Sequence, residues 1–290
     1  MENALEIKNL TKDYGDFRLN NVSFSLPQGY IMGLIGPNGA GKTTIIKLIL
    51  NLIHKDGGEI KVFGLDNIRD EVRVKSRLGF VHDTPFFYEH LTFTLKRIKA
   101  TIAPFYKGWN DGLFSKLIRE FDLPLDKPFR KLSRGMKMKF ALALALSHDA
   151  DLIILDEPTS GLDPVFRREL LTKLGTLIQD EKKSVLFSTH ITSDLERIAD
   201  HITFIHEGEI VFSASKDDVL EKWGIVRGGP EILSEENKKL FRGMRRTEFS
   251  FEGLTDDVAG ARRKLGSGVV IERASLEDIM FYTTRGEKNV

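Results

Sequence analysis

The chain has 290 residues, of which 41% are hydrophobic and 29% charged, so it is too apolar to be disordered and can bury a sizeable core. Its 43 Lys and Arg residues nearly balance its 42 Asp and Glu residues, which argues against a protein that coats nucleic acid. The absence of cysteine excludes disulfides and thiolate metal sites. Neither a secretory signal nor a bilayer-spanning apolar run is visible. We expect a soluble intracellular protein.

The first third of the chain predicts two strands followed by a strand–loop–helix unit. Residues 5–10 and 22–26 alternate polar and apolar side chains, which is typical of strands. The continuous apolar run at 30–35 is typical of a buried parallel strand. A glycine-rich loop follows it, and apolar residues then recur at helical spacing over 42–53.

The rest of the chain predicts a parallel sheet with a helical insertion. Amphipathic helical runs replace the strands over 88–148, and strand-like runs return at 152–155. Because strands then alternate with helices, we expect a parallel α/β sheet. We place a first domain at 1–218, and a small appended α+β unit at 219–290, where helix-like and strand-like runs alternate after a break rich in glycine.

The loop after the buried strand carries the phosphate-binding pattern G-x-x-x-x-G-K-[ST]. Its glycines allow a tight turn whose N–H groups point inward, and the next helix adds the positive end of its dipole. Lys42 supplies a point charge to the phosphates, and the hydroxyl of Thr43 suits Mg²⁺. We expect nucleotide phosphates to contact Gly36, Asn38, Gly39, Ala40, Gly41, Lys42, Thr43 and Thr44.

A second buried strand, at 152–155, ends in two carboxylates. Ligands of α/β sheets bind at the carboxyl ends of strands, so Asp156 can reach a Mg²⁺ ion held by Thr43. Glu157 comes next in the chain and is placed to polarise an attacking water molecule. We therefore predict Asp156 as a metal ligand and Glu157 as a catalytic residue.

Further segments make the family specific. The segment 132–136 (LSRGM) resembles the LSGGQ signature of ATP-binding-cassette (ABC) ATPases, 160–163 (SGLD) resembles their D-loop, and 187–190 (FSTH) resembles the segment that carries their switch histidine. Order and spacing match over about residues 4–215, and the base-reading N-K-x-D of P-loop GTPases is absent. The resemblance implies an α/β P-loop NTPase fold of the RecA-like type, with an N-terminal antiparallel β subdomain, an inserted helical subdomain and a C-terminal α+β extension.

The resemblance also implies roles for individual residues. Tyr14 would stack on adenine, and His190 would contact the γ-phosphate. Ser133, Gly135 and Asp163 would contribute to nucleotide binding, the signature serine and glycine acting across a pair of cassettes. The tail segment 274–280 (ASLEDIM) and the signature are similar to bacterial export-type cassettes of the bacitracin-resistance and Ytr-like group.

Two positions depart from the family pattern. Asp83 stands where the family places the glutamine of its Q-loop, and a carboxylate there could ligate Mg²⁺ directly or through water. Its added negative charge could slow hydrolysis. In the signature, Arg134 and Met136 replace a glycine and a glutamine, which we interpret as a subgroup trait.

The resemblance predicts an ATPase, with ATP and Mg²⁺ as its ligands, that drives export. A second cassette and a separate transmembrane permease would be its partners, at the cytoplasmic face of the membrane, and no nucleic acid is expected. Two alternatives stay open at this point: a soluble ABC ATPase that acts on a ribosome, DNA or protein scaffold, and a regulatory cassette with weak hydrolysis, suggested by Asp83.

Overall fold

The computed structural model describes residues 2–82 and 92–286. In chain order the strands are β1 (Asn3–Asp13), β2 (Arg18–Pro27), β3 (Ile31–Ile35), β4 (Gly57–Val62), β5 (Leu65–Asp66), β6 (Leu78–Val81), β7 (Leu152–Asp156), β8 (Ser184–Thr189), β9 (His201–His206), β10 (Glu209–Ser215), β11 (Gly224–Gly228), β12 (Gly243–Arg246), β13 (Phe251–Thr255) and β14 (Val269–Arg273). The α-helices are α1 (Lys42–Ile49), α2 (Glu71–Ser76), α3 (Leu95–Ile102), α4 (Asp111–Glu120), α5 (Arg134–Leu146), α6 (Pro164–Leu177), α7 (Thr192–Ile198), α8 (Lys216–Lys222), α9 (Glu235–Lys238), α10 (Val258–Leu265) and α11 (Leu276–Arg285). None of the helices in these two ranges is long and apolar enough to cross a membrane.

A six-stranded sheet forms the centre of the molecule. Its order is β10-β9-β3-β8-β7-β6, and all neighbours are parallel except β10, which pairs with β9 in the antiparallel sense. Every residue of β3, β7 and β8 is buried, as expected for strands covered on both faces. This confirms the predicted α/β fold. The carboxyl ends of these three strands lie at one edge, where the loops that carry the candidate residues begin.

A second, antiparallel sheet covers one side of the central sheet. Its strand order is β2-β1-β4-β5, which matches the expected N-terminal β subdomain. The alternating side chains of β1 and β2 form one hydrophobic cluster with α1 and with apolar residues of β3 and β7. The cluster fixes the position of the phosphate loop, since that loop connects β3 to α1.

Helices α3, α4 and α5 lie between β6 and β7 in the chain and form the helical insertion. Each begins at a side chain that accepts a hydrogen bond from the first turn, namely Thr94, Asn110 and Ser133. Their apolar faces bury Phe114 and Phe140, which pack edge to face. The insertion belongs to the hydrophobic cluster that also contains β7 and α6.

The tail forms a third sheet, of order β12-β13-β11-β14, with α11 packed against it. Helix α9 ends at Lys238, and beyond it Phe241 packs on Phe251 of β13. Helix α11 also contacts α7, where the N–H of Leu276 donates to Oε1 of Glu196 at 2.8 Å. The tail is thus anchored on the helix that follows the predicted switch histidine.

Candidate functional site

Glycines let the phosphate loop pack closely against its surroundings. At Gly41, which precedes α1, φ is +114°, and a Cβ atom would lie 2.6 Å from a methyl group of Leu19. At Gly36 a Cβ atom would lie 2.3 Å from the carbonyl oxygen of Ile205. Larger residues at these two positions would displace the loop from β9 and β2.

Lys42 is buried inside this loop, with 6% of its side chain exposed. Its Nζ donates to the carbonyl oxygens of Gly36 at 2.7 Å and Pro37 at 3.2 Å, and it lies 3.5 Å from Oε1 of Glu157. Burial lowers the pKa of the Lys42 ammonium, and the Glu157 carboxylate opposes that effect. The ammonium is held at the point where the nucleotide phosphates are expected.

Thr43 and Asp156 meet at the edge of the sheet, as the sequence predicts. Oγ1 of Thr43 donates to Oδ2 of Asp156 at 3.0 Å. The other oxygen, Oδ1, is buried without a hydrogen-bond partner among the described residues, and burial raises the pKa of the Asp156 carboxyl. A desolvated carboxylate with a free oxygen beside a hydroxyl is a donor set that suits Mg²⁺. The residues therefore fit the expected metal.

Glu157 and His190 are in direct contact. Nδ1 of His190 lies 2.9 Å from Oε2 of Glu157, and that oxygen also accepts from Oγ1 of Thr189 at 3.2 Å. The Glu157 backbone has φ of +49°, an unusual value for a residue with a side chain, and its N–H donates to the carbonyl oxygen of Ser188 at 2.9 Å. The glutamate is thereby held over the loop between β8 and α7. Thr189 was not among the residues selected from the sequence.

A cavity of about 540 Å³ brings most of the predicted binding residues together. Tyr14 stands half-exposed at its rim, with Nζ of Lys12 at 5.5 Å from the centre of the ring. Phe17, which sequence reasoning missed because a lone aromatic residue carries no motif, is a further wall. The lining consists of Tyr14, Phe17, Asn38, Gly39, Ala40, Gly41, Lys42, Thr43, Thr44 and Glu157.

The signature and D-loop residues do not line this cavity within the described part of the single chain. Ser133 begins α5, and its Oγ accepts from the N–H of Met136 at 3.3 Å. Asp163 begins α6, and its Oδ1 accepts from the first-turn N–H of Phe166 at 2.9 Å. Nη2 of Arg134 donates to Oγ of Ser160 at 3.4 Å, which places the signature beside the D-loop. Gly135 lies in the same first turn of α5.

The turn between β9 and β10 connects two parts of the site. The N–H of Gly208 donates to the carbonyl oxygen of Ala40 at 3.2 Å, and its own carbonyl oxygen accepts from the N–H of Asn20 at 2.9 Å. At Gly208 φ is +79°, and a Cβ atom would lie 1.9 Å from the carbonyl oxygen of Arg18. The turn fixes the position of the phosphate loop relative to β2. No local sequence pattern predicts this contact.

An apolar groove of about 300 Å³ lies between the central sheet and the helical insertion. His148 joins its two walls, since Nε2 lies 2.8 Å from the carbonyl oxygen of Leu78 and the ring stacks on Tyr106. Leu52, about half-exposed, stands at its edge. The groove extends to His82. Asp83 lies outside the described residues.

Comparison with known proteins identifies the family. Residues 19–160 match the family described as ABC transporter. The chain is 35% identical over 215 residues to the bacitracin transport ATP-binding protein BcrA of Enterococcus faecalis, a match that covers 73% of this chain and 69% of that protein. The chain belongs to the ABC transporter ATP-binding proteins.

Other likenesses extend this ABC assignment. The lantibiotic transport ATP-binding protein SrtF of Streptococcus pyogenes is 36% identical, with 73% of this chain and 91% of that protein covered. The Nod factor export ATP-binding protein I of Burkholderia orbicola is 33% identical, with 98% and 97% covered. A solved ATP-binding subunit of an ABC transporter has a TM-score of 0.67 at 31% identity, with 75% and 92% covered.

These likenesses confirm the P-loop NTPase fold and the resemblance to export-type cassettes. The ABC chain is an ATP-binding and ATP-hydrolysing subunit of a transporter. The soluble and regulatory alternatives gain no support from the relatives.

Proposed function

We propose that this ABC subunit hydrolyses ATP to drive export through a separate transmembrane permease. The proposal rests on one observation: five side chains suited to phosphate binding, metal binding and hydrolysis lie close together at the carboxyl ends of the central strands. They are Lys42, Thr43, Asp156, Glu157 and His190. The export direction is supported by relatives whose names give bacitracin transport, lantibiotic transport and Nod factor export. The alignment with the last of these extends over the tail as well.

The phosphate loop would bind the triphosphate of ATP. Lys42 would exchange its contacts with Gly36 and Pro37 for phosphate oxygens, because an ammonium group bonds more strongly to an anion than to a neutral carbonyl. The N–H groups of residues 39–44 and the positive end of α1 would receive the remaining phosphate charge. Tyr14 stands at the rim, where an adenine ring could stack on it.

Thr43 and Asp156 would hold Mg²⁺, which neutralises charge that develops on the phosphate oxygens. The buried Oδ1 of Asp156 supports this role because it has no other partner in the described residues. Asp83 remains a proposed third ligand on sequence grounds alone, since it lies outside the described part of the chain.

Glu157 would orient the attacking water molecule, and His190 would contact the γ-phosphate. The two side chains bond to each other in the structure. Nucleotide binding would turn the imidazole of His190 toward the phosphate and leave a carboxylate oxygen of Glu157 for water. The strained backbone of Glu157 supports a functional role, because such conformations persist where the surrounding structure enforces them.

A second cassette would complete the site. Ser133, Gly135 and Asp163 lie outside the cavity of their own chain, so their proposed roles in nucleotide binding require the opposite cassette. Ser133 stands at the N-terminus of α5, a helix of 13 residues whose dipole favours an anion. Closure of the two cassettes would bring that helix to the partner's ATP.

The apolar groove beside His148 would receive a helix of the permease. Its lining joins the central sheet to the helical insertion, so a helix seated there would detect their relative movement. This partner would place the subunit at the cytoplasmic face of the membrane. In this proposal residues 1–218 form the nucleotide-binding domain with its insertion at 88–148, and residues 219–290 form an accessory domain.

The Glu157→Gln variant tests the proposed function. We expect ATP hydrolysis to fall by about 100-fold or more, and an ATP-bound dimer to accumulate in size-exclusion chromatography with light scattering. Glu169→Gln is the matched control, because Glu169 is an exposed glutamate on α6. Unchanged turnover in Glu157→Gln would contradict the proposal.

A further inference from the structure

Two neighbouring loops leave the central sheet side by side. The first loop, residues 157–163, connects β7 to α6, and the second, residues 190–191, connects β8 to α7. The two strands are paired in parallel, with Asp156 opposite Ser188. The contact between Glu157 and His190, 2.9 Å long, links the two loops where they begin.

A second link joins the loops where the helices begin. Nε of Arg167, in the first turn of α6, donates to Oδ1 of Asp194 at 2.7 Å, in the first turn of α7. Nη2 of Arg167 also donates to Oγ of Ser193 at 3.1 Å. Only 3% of the Asp194 side chain is exposed, and its Oδ2 has no hydrogen-bond partner among the described residues. The buried carboxylate therefore depends on one guanidinium group.

The two links and the chain between them form a closed ring. On one side, Asp163 bonds to the N–H groups of Val165 and Phe166, so the first turn of α6 moves with the D-loop. On the other side, the N–H of Ile191 donates to Oγ1 of Thr189 at 2.9 Å, which fixes the short segment before α7. A displacement of the D-loop would reach His190 through this ring.

We propose that Arg167 is a positioning residue for ATP hydrolysis, which acts through Asp194 to hold His190 in register with Glu157. This inference rests on the roles of Glu157 and His190 in the proposed function. Arg167 is not among the described residues that line the phosphate cavity, so it does not act on ATP directly. A second cassette that pushes on the D-loop would therefore also move His190.

The test compares four variants in steady-state ATPase assays and thermal unfolding. Arg167→Gln should lower kcat by about tenfold while KM for ATP changes by less than about twofold. Arg167→Lys should show an intermediate kcat, because an ammonium group can reach Asp194 but cannot make both bonds of the fork. Arg168→Gln is the matched control, an exposed arginine one residue further along α6, and should match the parent.

The double variant Arg167→Gln/Asp194→Asn separates positioning from folding. It leaves no uncompensated buried charge, so Tm should return to near that of the parent while kcat stays low. Recovery of kcat together with Tm would overturn the proposal, as would a kcat within about twofold of the parent in soluble Arg167→Gln. If Arg167→Gln does not fold, Arg167→Lys and the double variant decide the question. Absence of ATPase activity in the parent would instead contradict the proposed function.

Discussion

Nζ of Lys42 lies 3.5 Å from Oε1 of Glu157, so the cation of the phosphate loop and the proposed catalytic carboxylate neutralise each other. Both side chains are largely buried. Incoming phosphate would compete with Glu157 for the same ammonium, and the carboxylate would then be released toward water.

We expect Lys42→Met to weaken ATP binding by about 10- to 150-fold, because a charge-assisted hydrogen bond contributes about 1.5–3 kcal/mol. Isothermal titration calorimetry with ATP measures the change. Lys47→Met is the control, since Lys47 is exposed on the same helix. Equal affinity of the two variants would refute the role of Lys42.

Asp156 makes the stability of the metal-free protein depend on pH. Burial raises the pKa of its carboxyl, so the stabilisation from protonation is fully present below the pKa of the unfolded chain. It is lost as pH rises through the higher pKa of the folded chain. At neutral pH the ionised, buried carboxylate therefore lowers the free energy of unfolding.

We expect Asp156→Asn to raise the Tm of the metal-free protein at neutral pH by about 2–4 °C, which corresponds to ~1 kcal/mol for a chain of this size. The amide oxygen can still accept from Oγ1 of Thr43. The gain should shrink as pH falls. Differential scanning fluorimetry in the presence of EDTA measures this change in Tm. In a parallel series of measurements, ATP and Mg²⁺ should raise the Tm of the parent but not that of Asp156→Asn. If Asp156→Asn is less stable than the parent at neutral pH, burial of the ionised Asp156 carboxylate does not destabilise the protein.

Gly208 should tolerate no side chain. Gly208→Ala places a methyl group against the carbonyl oxygen of Arg18 at a positive φ, and we expect a loss of about 2–4 kcal/mol in the free energy of unfolding. Gly64→Ala is a matched control, because Gly64 has φ of +75° with open space around it and should lose only ~1 kcal/mol. Urea denaturation measures the free energy of unfolding of both variants, and the difference between their losses is the steric cost at Gly208. Equal losses would contradict the close contact between Gly208 and the carbonyl oxygen of Arg18.

Leu52 tests the groove as a permease site. Leu52→Asp should leave the ATPase activity of the isolated subunit unchanged and weaken its co-purification with the permease by about tenfold or more, because burial of a leucine contributes about 1.5–3 kcal/mol. Val72→Asp is the control, since Val72 is 83% exposed on α2. If Leu52→Asp co-purifies with the permease as well as the parent does, the groove is not part of the interface with the permease.

The parts of the site that could be predicted from the sequence are those formed by residues that are neighbours in the chain. The phosphate loop and the pair Asp156–Glu157 each follow a buried strand, and a parallel sheet places such strand ends at one edge without further information. Alternation of polar and apolar residues likewise predicts β1 and β2 as strands, whereas their antiparallel pairing is implied only by the resemblance to ABC ATPases.

The unpredicted parts depend on contacts between distant segments. Arg167 and Asp194 are 27 positions apart and belong to different helices, so neither residue forms a pattern with its own neighbours. Gly208 resembles any turn glycine until the strand that it touches is known. Tertiary packing decides both.

The tail shares its apolar interior with the ATPase body. Leu276 and Ile279 of α11 are fully buried in the same cluster as Leu195 and Ala199 of the α7 segment, and Trp223 continues an aromatic series from Phe204 through Phe212. A chain shortened after residue 218 would expose this surface to water. Truncation would therefore report aggregation before it could report any regulatory effect of the tail, and point substitutions such as Glu196→Gln are the sounder way to study it.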